Sequence, residues 1–444
     1  MSDLLAIGAS GIKAYGQALS VVGDNIANAQ TEGYVRRSVR LAEAPSGGDI
    51  VLSRNSIRPG GVTAAGVTRS IDMWLVDDAR VAGGEASRQS AKLDWVTATE
   101  SVLADGGAGI GNAVTSVFTA AEQLSGNPGN DTLRRQFLSS VDKSAANFRR
   151  TASALGSAAT GVATEAQGAA TQLNSDLSAL SRINDGLRRA RAGSSNEATL
   201  LDERDRLVGN ISNATDIVVS YDARGAAIVR TPSGDALVDG PITANISVTV
   251  AANGTIGYGI NPGATGVLNP GSGLLAGLQD ASSHIAGQRT SLDSLASQFA
   301  TELNAAHQAG TDANGNPGAA LLNFNGGAAA MVAVALAPDD VAAANGSSLN
   351  GNMLSMNNLR GLGGIEQNVT AMIAAQAQTT AAARAQEAAA SSRRDGSFAA
   401  RDAIGAVDLD REAAELLRFQ QAYEAAARTI QVARETMQSL LNIF

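Results

Sequence analysis

Apolar side chains repeat every seven residues along the last part of the chain, Leu409–Phe444. The positions of the first row are Leu416, Tyr423, Ile430, Met437 and Phe444, and those of its companion row are Phe419, Ala426, Ala433 and Leu440. The stretch contains no glycine or proline, so that as a helix it would be about 54 Å long. A heptad repeat of this length predicts an amphipathic helix whose apolar stripe packs in a coiled coil.

Residues 3–29 show the same spacing. Their main row consists of Leu5, Ile12, Leu19 and Ile26, and their companion row of Gly8, Tyr15, Val22 and Ala29. Each of the four glycines at positions 8, 11, 16 and 23 costs roughly 0.8–1 kcal/mol relative to alanine in a helix interior. We therefore expect this helix to need a partner, and we predict that it pairs with the C-terminal helix. Two ordinary amphipathic helices on a globular core would give the same pattern.

Between the two ends, the pattern predicts a mainly helical chain with a small β insertion. Strands are predicted in residues 34–44 and 49–57, and again in short β-branched runs over residues 217–256. The predicted bundle helices include Asp131–Leu155, Ala163–Arg191, Glu197–Ser212, Leu274–Gln308 and Ile365–Arg394. The predicted units are a terminal coiled coil (1–34 with 405–444), a helical bundle with a β-hairpin near 35–70 (35–214 with 270–404) and a small outer β domain (215–269).

Charge and composition exclude several classes of function. The net charge is −9 and the isoelectric point about 4.9, which argues against nucleic acid or an anionic membrane as a partner. Cysteine is absent, which excludes disulfides, thiolate catalysis and zinc–sulfur sites. No apolar run reaches transmembrane length. The N-terminal sequence MSDLLAIGASG is acidic and broken by glycines, so we expect no cleaved secretory signal.

The residues that could carry catalysis or bind a metal lack the required spacing. His284 and His307 do not form an HExxH motif. The segment Asp312–Gly318 begins like a calcium loop, but Pro317 stands where that loop needs glycine, which predicts a simple turn. The adjacent Arg36 and Arg37 are expected to be solvated or interface charges. We therefore predict no catalytic residue, no cofactor and no metal.

Residues 25–34 resemble the N-terminal motif of the bacterial flagellar rod, hook and hook-associated proteins. The family pattern N-I-A-N-x-x-T-x-G-Y is matched by Asn25, Ile26, Ala27, Asn28, Thr31, Gly33 and Tyr34. The C-terminal helix is similar to the matching end segment of the family at Leu416, Leu417, Gln420, Gln421, Tyr423 and Ala425. Further similar stretches narrow the resemblance to the hook-associated members; they are Leu124–Arg150, Leu200–Ser212, Gly271–Asp280 and Leu303–Gly318.

The resemblance implies a structural protein rather than an enzyme. Such proteins are exported through the flagellar type III apparatus and assemble outside the cell as a junction ring between hook and filament. The implied partners are other copies of the chain, the hook protein, a second junction protein (hook-associated protein 3), flagellin and an export chaperone. The expected assembly interface is Leu5, Ile12, Tyr15, Leu19, Val22, Ile26, Leu416, Phe419, Tyr423, Ile430, Met437, Leu440 and Phe444.

Two alternatives remain open from the sequence. One is a hook or distal-rod protein of the same family, and the other is a secreted helical adhesin or binding module that displays the β insertion. We also expect both chain ends to be largely disordered in the free chain and to become ordered only during assembly.

Overall fold

The computed structural model describes residues 2–31, 33–44, 60–104, 106 and 109–442. Within them the α-helices are α1 (Ser2–Ala27), α2 (Met73–Leu103), α3 (Ile110–Gly126), α4 (Asp131–Arg189), α5 (Ser195–Ala214), α6 (Gly273–Gln308), α7 (Gly351–Ser355), α8 (Ile365–Gly405) and α9 (Leu409–Leu441). The strands are β1 (Arg37–Ala44), β2 (Gly61–Arg69), β3 (Val218–Tyr221), β4 (Ala227–Arg230), β5 (Ala236–Asp239), β6 (Ile242–Thr243), β7 (Asn245–Val250), β8 (Ile256–Asn261), β9 (Val267–Leu268), β10 (Leu322–Asn323) and β11 (Val332–Ala333). The prediction of a mainly helical chain with a small β insertion is confirmed.

The helical body is built around buried aromatic and aliphatic side chains of α3, α4 and α6. Phe148 of α4 stacks on Phe299 of α6, with ring centroids 5.8 Å apart. Phe118 and Phe137 are buried in the same core. A largely irregular segment between α6 and α8 closes this core, and it includes 3₁₀ turns at Ala328–Ala330, Pro338–Asp340 and Met356–Arg360.

Helix α4 is continuous over 59 residues, roughly 88 Å at the rise of an α-helix. The Asn130 side chain caps its start by accepting hydrogen bonds from the amides of Thr132 and Leu133. The prediction of two separate helices, Asp131–Leu155 and Ala163–Arg191, was wrong. The intervening glycines do not end the helix, because one of them, Gly161, packs directly against Trp95 of α2.

Helix α8 also extends further than predicted, because its last turns are held against α2. It continues past Arg394 to Gly405. The Ser397 hydroxyl donates a hydrogen bond to the Asp78 carboxylate at 2.6 Å. The Phe398 ring lies beside Gly83 of α2, within van der Waals distance of the place a Cβ atom would take.

The β insertion consists of two antiparallel sheets, with strand orders β3-β4-β5-β6 and β7-β8-β9. Two asparagines of α4 attach it to the body. Asn174 pairs through both amide atoms with the backbone of Ile246 at 2.7 and 2.8 Å. Asn184 pairs in the same way with Ala227, with both distances 2.8 Å.

Strands β1 and β2 form a separate antiparallel pair in which Arg37 lies opposite Arg69. The strand predicted in residues 49–57 lies outside the described residues. In the part of the chain that the structure describes, no helix is long and apolar enough to cross a membrane.

Candidate functional site: the paired chain ends

Helices α1 and α9 pack against each other in antiparallel orientation. At one end of the pair, Asn25 contacts Glu412. Further along, Gly16 lies beside Tyr423, and at the other end Gly8 faces Ile430. Each end therefore supplies the packing surface that the other lacks, and the expectation that both ends become ordered only during assembly stays a prediction.

The glycines of α1 allow this close approach. A Cβ atom on Gly8 would lie 2.6 Å from Ile430 Cγ1, and one on Gly11 would lie 2.9 Å from the Cβ of Ala426. Both distances are too short for real side chains, so this close approach of α1 to α9 requires glycine at positions 8 and 11. Two of the four glycines that weaken α1 as an isolated helix, Gly8 and Gly11, are thus required for its closest contacts with α9.

The predicted interface residues lie on the facing sides of the pair but are only partly covered. In α1, Ile12 and Leu19 share the helix face of Gly8 and Gly16. Residues of the predicted interface that are half-buried are Leu5, Ile12, Tyr15, Leu19, Leu416, Phe419 and Ile430. Val22 is buried, whereas Ile26, Tyr423 and Met437 remain 37–38% exposed. The Leu440 side chain and Phe444 lie outside the described part of the chain.

The opposite face of α1 packs against the β1–β2 pair. Ala14, Ala18 and Val21 are buried on this face. The amide of Val62 at the start of β2 donates a hydrogen bond to the Ser10 hydroxyl at 3.2 Å. Helix α1 is therefore the middle layer between the β1–β2 pair and α9.

Asn25 is buried at the end of α1 and makes four hydrogen bonds. Its Nδ2 donates to the Arg37 carbonyl and to Glu412 Oε2, both at 2.8 Å. Its Oδ1 accepts from the Tyr34 hydroxyl at 2.8 Å and from the Arg37 amide at 3.0 Å. This amide group thereby joins the end of α1, the turn after it, the first residue of β1 and the start of α9.

The other motif residues shape the turn that follows α1. Asn28 Nδ2 donates to the Asp24 carbonyl at 2.8 Å, and the Thr31 hydroxyl donates to Asn28 Oδ1 at 3.3 Å. Gly33 has φ +79°, a left-handed conformation that favours glycine. Of the remaining family positions, Ala27 points into solvent, as do Gln420 and Gln421 of α9.

Charged pairs continue from this turn into the helical body. Arg36 Nε lies 2.7 Å from Glu412 Oε1, and Arg37 Nη2 lies 2.5 Å from Asp202 Oδ2. Of the two predicted roles for Arg36 and Arg37, solvated or interface charges, the structure favours the second, since their side chains are only 14% and 6% exposed and pair with other elements. The sequence did not identify Glu412 and Asp202 as partners, because a charge pattern along the chain does not show which distant charges meet.

Strand β2 adds a second arginine to this cluster. Arg69 Nε lies 2.7 Å from Asp202 Oδ1, as an ion pair without hydrogen-bond alignment. Arg69 Nη2 donates to Asp205 at 2.7 Å. Asp202 and Asp205 belong to α5, within the stretch Leu200–Ser212 that matches the family. In the sequence, the charged residues of that stretch were the one indication of this connection between β2 and α5.

Burial changes the ionisation of two groups in this cluster. It raises the pKa of Tyr34 to about 12, against a smaller lowering by the nearby Arg37 guanidinium, which lies 4.8 Å from the ring centroid. Burial also raises the pKa of Asp202, although Arg69 and Arg37 oppose that shift. The cluster suits a structural connection, because every charge in it is neutralised by a neighbour.

The two histidines serve as packing residues of α6. His307 is buried; its Nδ1 donates to the Ala319 carbonyl at 2.6 Å and its Nε2 accepts from the Ala342 amide at 2.9 Å. His284 Nε2 lies 2.8 Å from Gln376 Oε1.

The Asp312 carboxylate accepts hydrogen bonds from the backbone amides of Asn314 and Asn316 in its own turn. Over the described ranges, no group of three or more histidine or acidic side chains is placed to hold a metal ion.

Three family models match the chain. The model of the flagellar hook-associated protein FlgK helical domain matches residues 96–322, slightly more than half of the chain. The model of the flagella basal body rod protein matches residues 5–34, and that of the flagellar basal body rod FlgEFG protein C-terminal region matches residues 406–443. The two short matches coincide with α1 and its turn and with α9.

Among curated proteins, the chain is similar to flagellar hook-associated protein 1 of Salmonella typhimurium, with 27% identity over 330 residues. That match covers 72% of this chain and 59% of the relative, so the chain spans less than two thirds of that relative's length. Flagellar hook-associated protein 1 of Bacillus subtilis is 25% identical over 489 residues, covering 96% of this chain and 95% of the relative.

A solved structure supports the fold. The flagellar hook junction protein FlgK from Burkholderia pseudomallei superimposes with a TM-score of 0.50 at 24% identity, covering 55% of this chain and 46% of the other. The resemblance inferred from the motifs is confirmed. The chain belongs to the FlgK family of flagellar hook-associated proteins.

Proposed function

We propose that the chain is a structural subunit of the bacterial flagellum that assembles as a junction ring between hook and filament. One observation carries this proposal: the two chain ends pair with each other and still leave apolar side chains in solvent. Leu417 and Val432 of α9 are 58% and 59% exposed, and Leu4 of α1 is 46% exposed. Packing against neighbouring subunits would remove these side chains from water.

The half-covered interface residues support self-association through the terminal helices. A two-helix pair buries each stripe from one side only, so Ile12, Leu19 and Ile430 keep part of their surface in water. Helices of neighbouring copies that packed beside the pair would bury the rest. Full burial of such a side chain contributes roughly 1.5–3 kcal/mol, and a neighbouring copy would supply the part that the two-helix pair leaves exposed.

The organisation of the chain fits a wall-forming subunit with three units. We propose a terminal coiled coil (1–34 with 405–444), a helical bundle (35–214 with 270–404) and an outer β domain (215–269). The charged cluster around Asn25 and Asp202 joins the first unit to the second. A structural role, rather than catalysis, accounts for the neutralised charges of the cluster and for the packing role of both histidines.

The proposed partners follow from this position in the flagellum. They are neighbouring copies of the chain, the hook protein, hook-associated protein 3, flagellin and an export chaperone. The protein would act outside the cell after type III export.

Deletion of the coding sequence, with complementation as a control, tests the proposal. We expect cells with complete hooks, no filaments and flagellin released into the medium, because no junction receives the filament. Loss of the hooks themselves would instead favour a hook or distal-rod protein. Normal filaments combined with lost surface attachment would favour an adhesin, and either outcome would overturn the junction assignment.

A further inference from the structure

Glu412 is a carboxylate that is completely withdrawn from solvent at the start of α9. Its oxygens accept hydrogen bonds from Asn25 Nδ2 at 2.8 Å and from Arg36 Nε at 2.7 Å. Within the described residues, the carboxylate has no side-chain partner in its own helix. Because an unpaired buried carboxylate is very unfavourable, the start of α9 can dock only where both donors are already in place.

Most of the hydrogen bonds of Asn25, in contrast, do not depend on α9. Three of its four hydrogen bonds are made to Tyr34 and to the backbone of Arg37, within a short stretch of chain. Only the fourth reaches Glu412, which lies 387 residues away in the sequence. The turn that receives Glu412 can therefore form before α9 arrives.

This turn is anchored to the body by contacts that do not involve α9. Arg37 pairs with Asp202 and Arg69 pairs with Asp205, and both acids lie on α5. In addition, the amide of Arg36 donates to the Gly405 carbonyl at 2.9 Å, which brings the end of α8 to the same place. The receiving site is thus held by α5, by the β1–β2 pair and by the end of α8.

We propose that Glu412 is a latch that makes docking of α9 conditional on a closed N-terminal turn and fixes its register on α1. The chain ends then become ordered in one direction, with the β1–β2 pair and the turn first and α9 last. A shift of α9 by one heptad in one direction would bring Phe419 to the place of Glu412, and in the other direction that place would lie before the start of α9 at Leu409. The Asn25 amide and the Arg36 guanidinium would then lack an acceptor, which disfavours the shifted pairing.

Hydrogen exchange of the full chain, measured by mass spectrometry, tests the latch with the variant Glu412→Ala. We expect amide protection in residues 409–430 to fall roughly 100-fold or more, as loss of one partner of a buried ion pair implies. Protection in β1 and β2 should stay unchanged. The matched control is Glu415→Ala, since Glu415 lies on the same helix but pairs with Arg418 of its own helix at 2.7 Å.

Two further variants establish the direction of the coupling. Asn25→Ala should lower protection in both β1 and α9, because it removes the receiving turn itself. If Glu412→Ala also loses protection in α4, that variant has unfolded more widely than failed docking of α9 requires. Glu412→Gln, which keeps the side-chain shape, then separates failed docking from unfolding. The latch is wrong if Glu412→Ala behaves like the Glu415→Ala control. It is also wrong if β1 loses protection together with α9 when Glu412 is replaced.

Discussion

Gly8 faces Ile430 so closely that a Cβ atom on Gly8 would lie 2.6 Å from Ile430 Cγ1. A residue that is unfavourable for helix formation is therefore required at the point where the two ends of the chain meet. Helix propensity and interhelical packing favour opposite residue types at this position, and the closeness of the contact indicates that packing dominates.

Gly8→Ala should weaken the pairing of α1 with α9 even though it favours the helix. The propensity gain is about 1 kcal/mol, whereas the forced separation of two packed helices costs typically 1–3 kcal/mol. The control is Gly23→Ala, because a Cβ on Gly23 meets nothing within 4 Å. We expect the control to raise the free energy of unfolding and Gly8→Ala to lower it, as measured by denaturant titration. Equal stabilisation by both would contradict the close contact.

Ile430→Asp should block incorporation into the flagellum while leaving the body folded. The substitution places a charge at a half-buried position of the terminal pair, where it lacks a partner. Ile12→Asp on the facing side of α1 should behave alike. Motility and filament assembly in complemented deletion cells provide the measurement. Gln431→Asp adds the same charge at the next, exposed position and should assemble normally. Filaments built from the Ile430→Asp protein would show that this surface is not used in assembly.

Gly161→Ala should displace the Trp95 ring. A Cβ on Gly161 would overlap the six-membered ring of Trp95, whose Nε1 donates to Glu165 at 2.7 Å. We expect a loss of about 1–3 kcal/mol and a change in tryptophan fluorescence. Gly168→Ala in the same helix meets nothing within 4 Å, so it should leave the fluorescence unaltered. An unaltered spectrum in both variants would contradict the packing of Trp95 on α4.

Stability should decrease as the pH falls below the ordinary histidine range. Burial lowers the pKa of His307 and of His284, so the unfolded chain takes up protons near pH 6.5 that the folded chain does not. The stabilising contribution is thus complete above that pH and is lost on acidification, by at most about 1.4 kcal/mol per pH unit for one group. Unfolding free energies between pH 7.5 and 5.5 should depend less on pH in His307→Gln. An unchanged slope would show that His307 does not contribute.

The fold class could be predicted because hydrophobic periodicity is local. The seven-residue repeats predicted α1 and α9, and β-branched runs predicted the β insertion. Helix ends were predicted less well. The predicted helices Asp131–Leu155 and Ala163–Arg191 are one continuous helix, α4, and the Trp95 ring that packs against Gly161 in its middle belongs to a different helix.

The candidate site could be predicted only in part. The motif around Asn25 and Tyr34 was recognised, and so was the apolar face of α9. The roles of Arg37 and Glu412 were not recognised. A charged residue can be assigned to a buried ion pair only when its partner is known, and here the partner is distant in the sequence.

The sequence by itself determined that both ends of this chain are amphipathic helices in need of cover, since an apolar repeat specifies a helix face without any knowledge of its surroundings. Only the tertiary structure decided what covers them. The antiparallel register, the glycine contacts at Gly8 and Gly11 and the burial of Glu412 against Asn25 all depend on the distance between residues at opposite ends of the chain, and no local pattern encodes that distance.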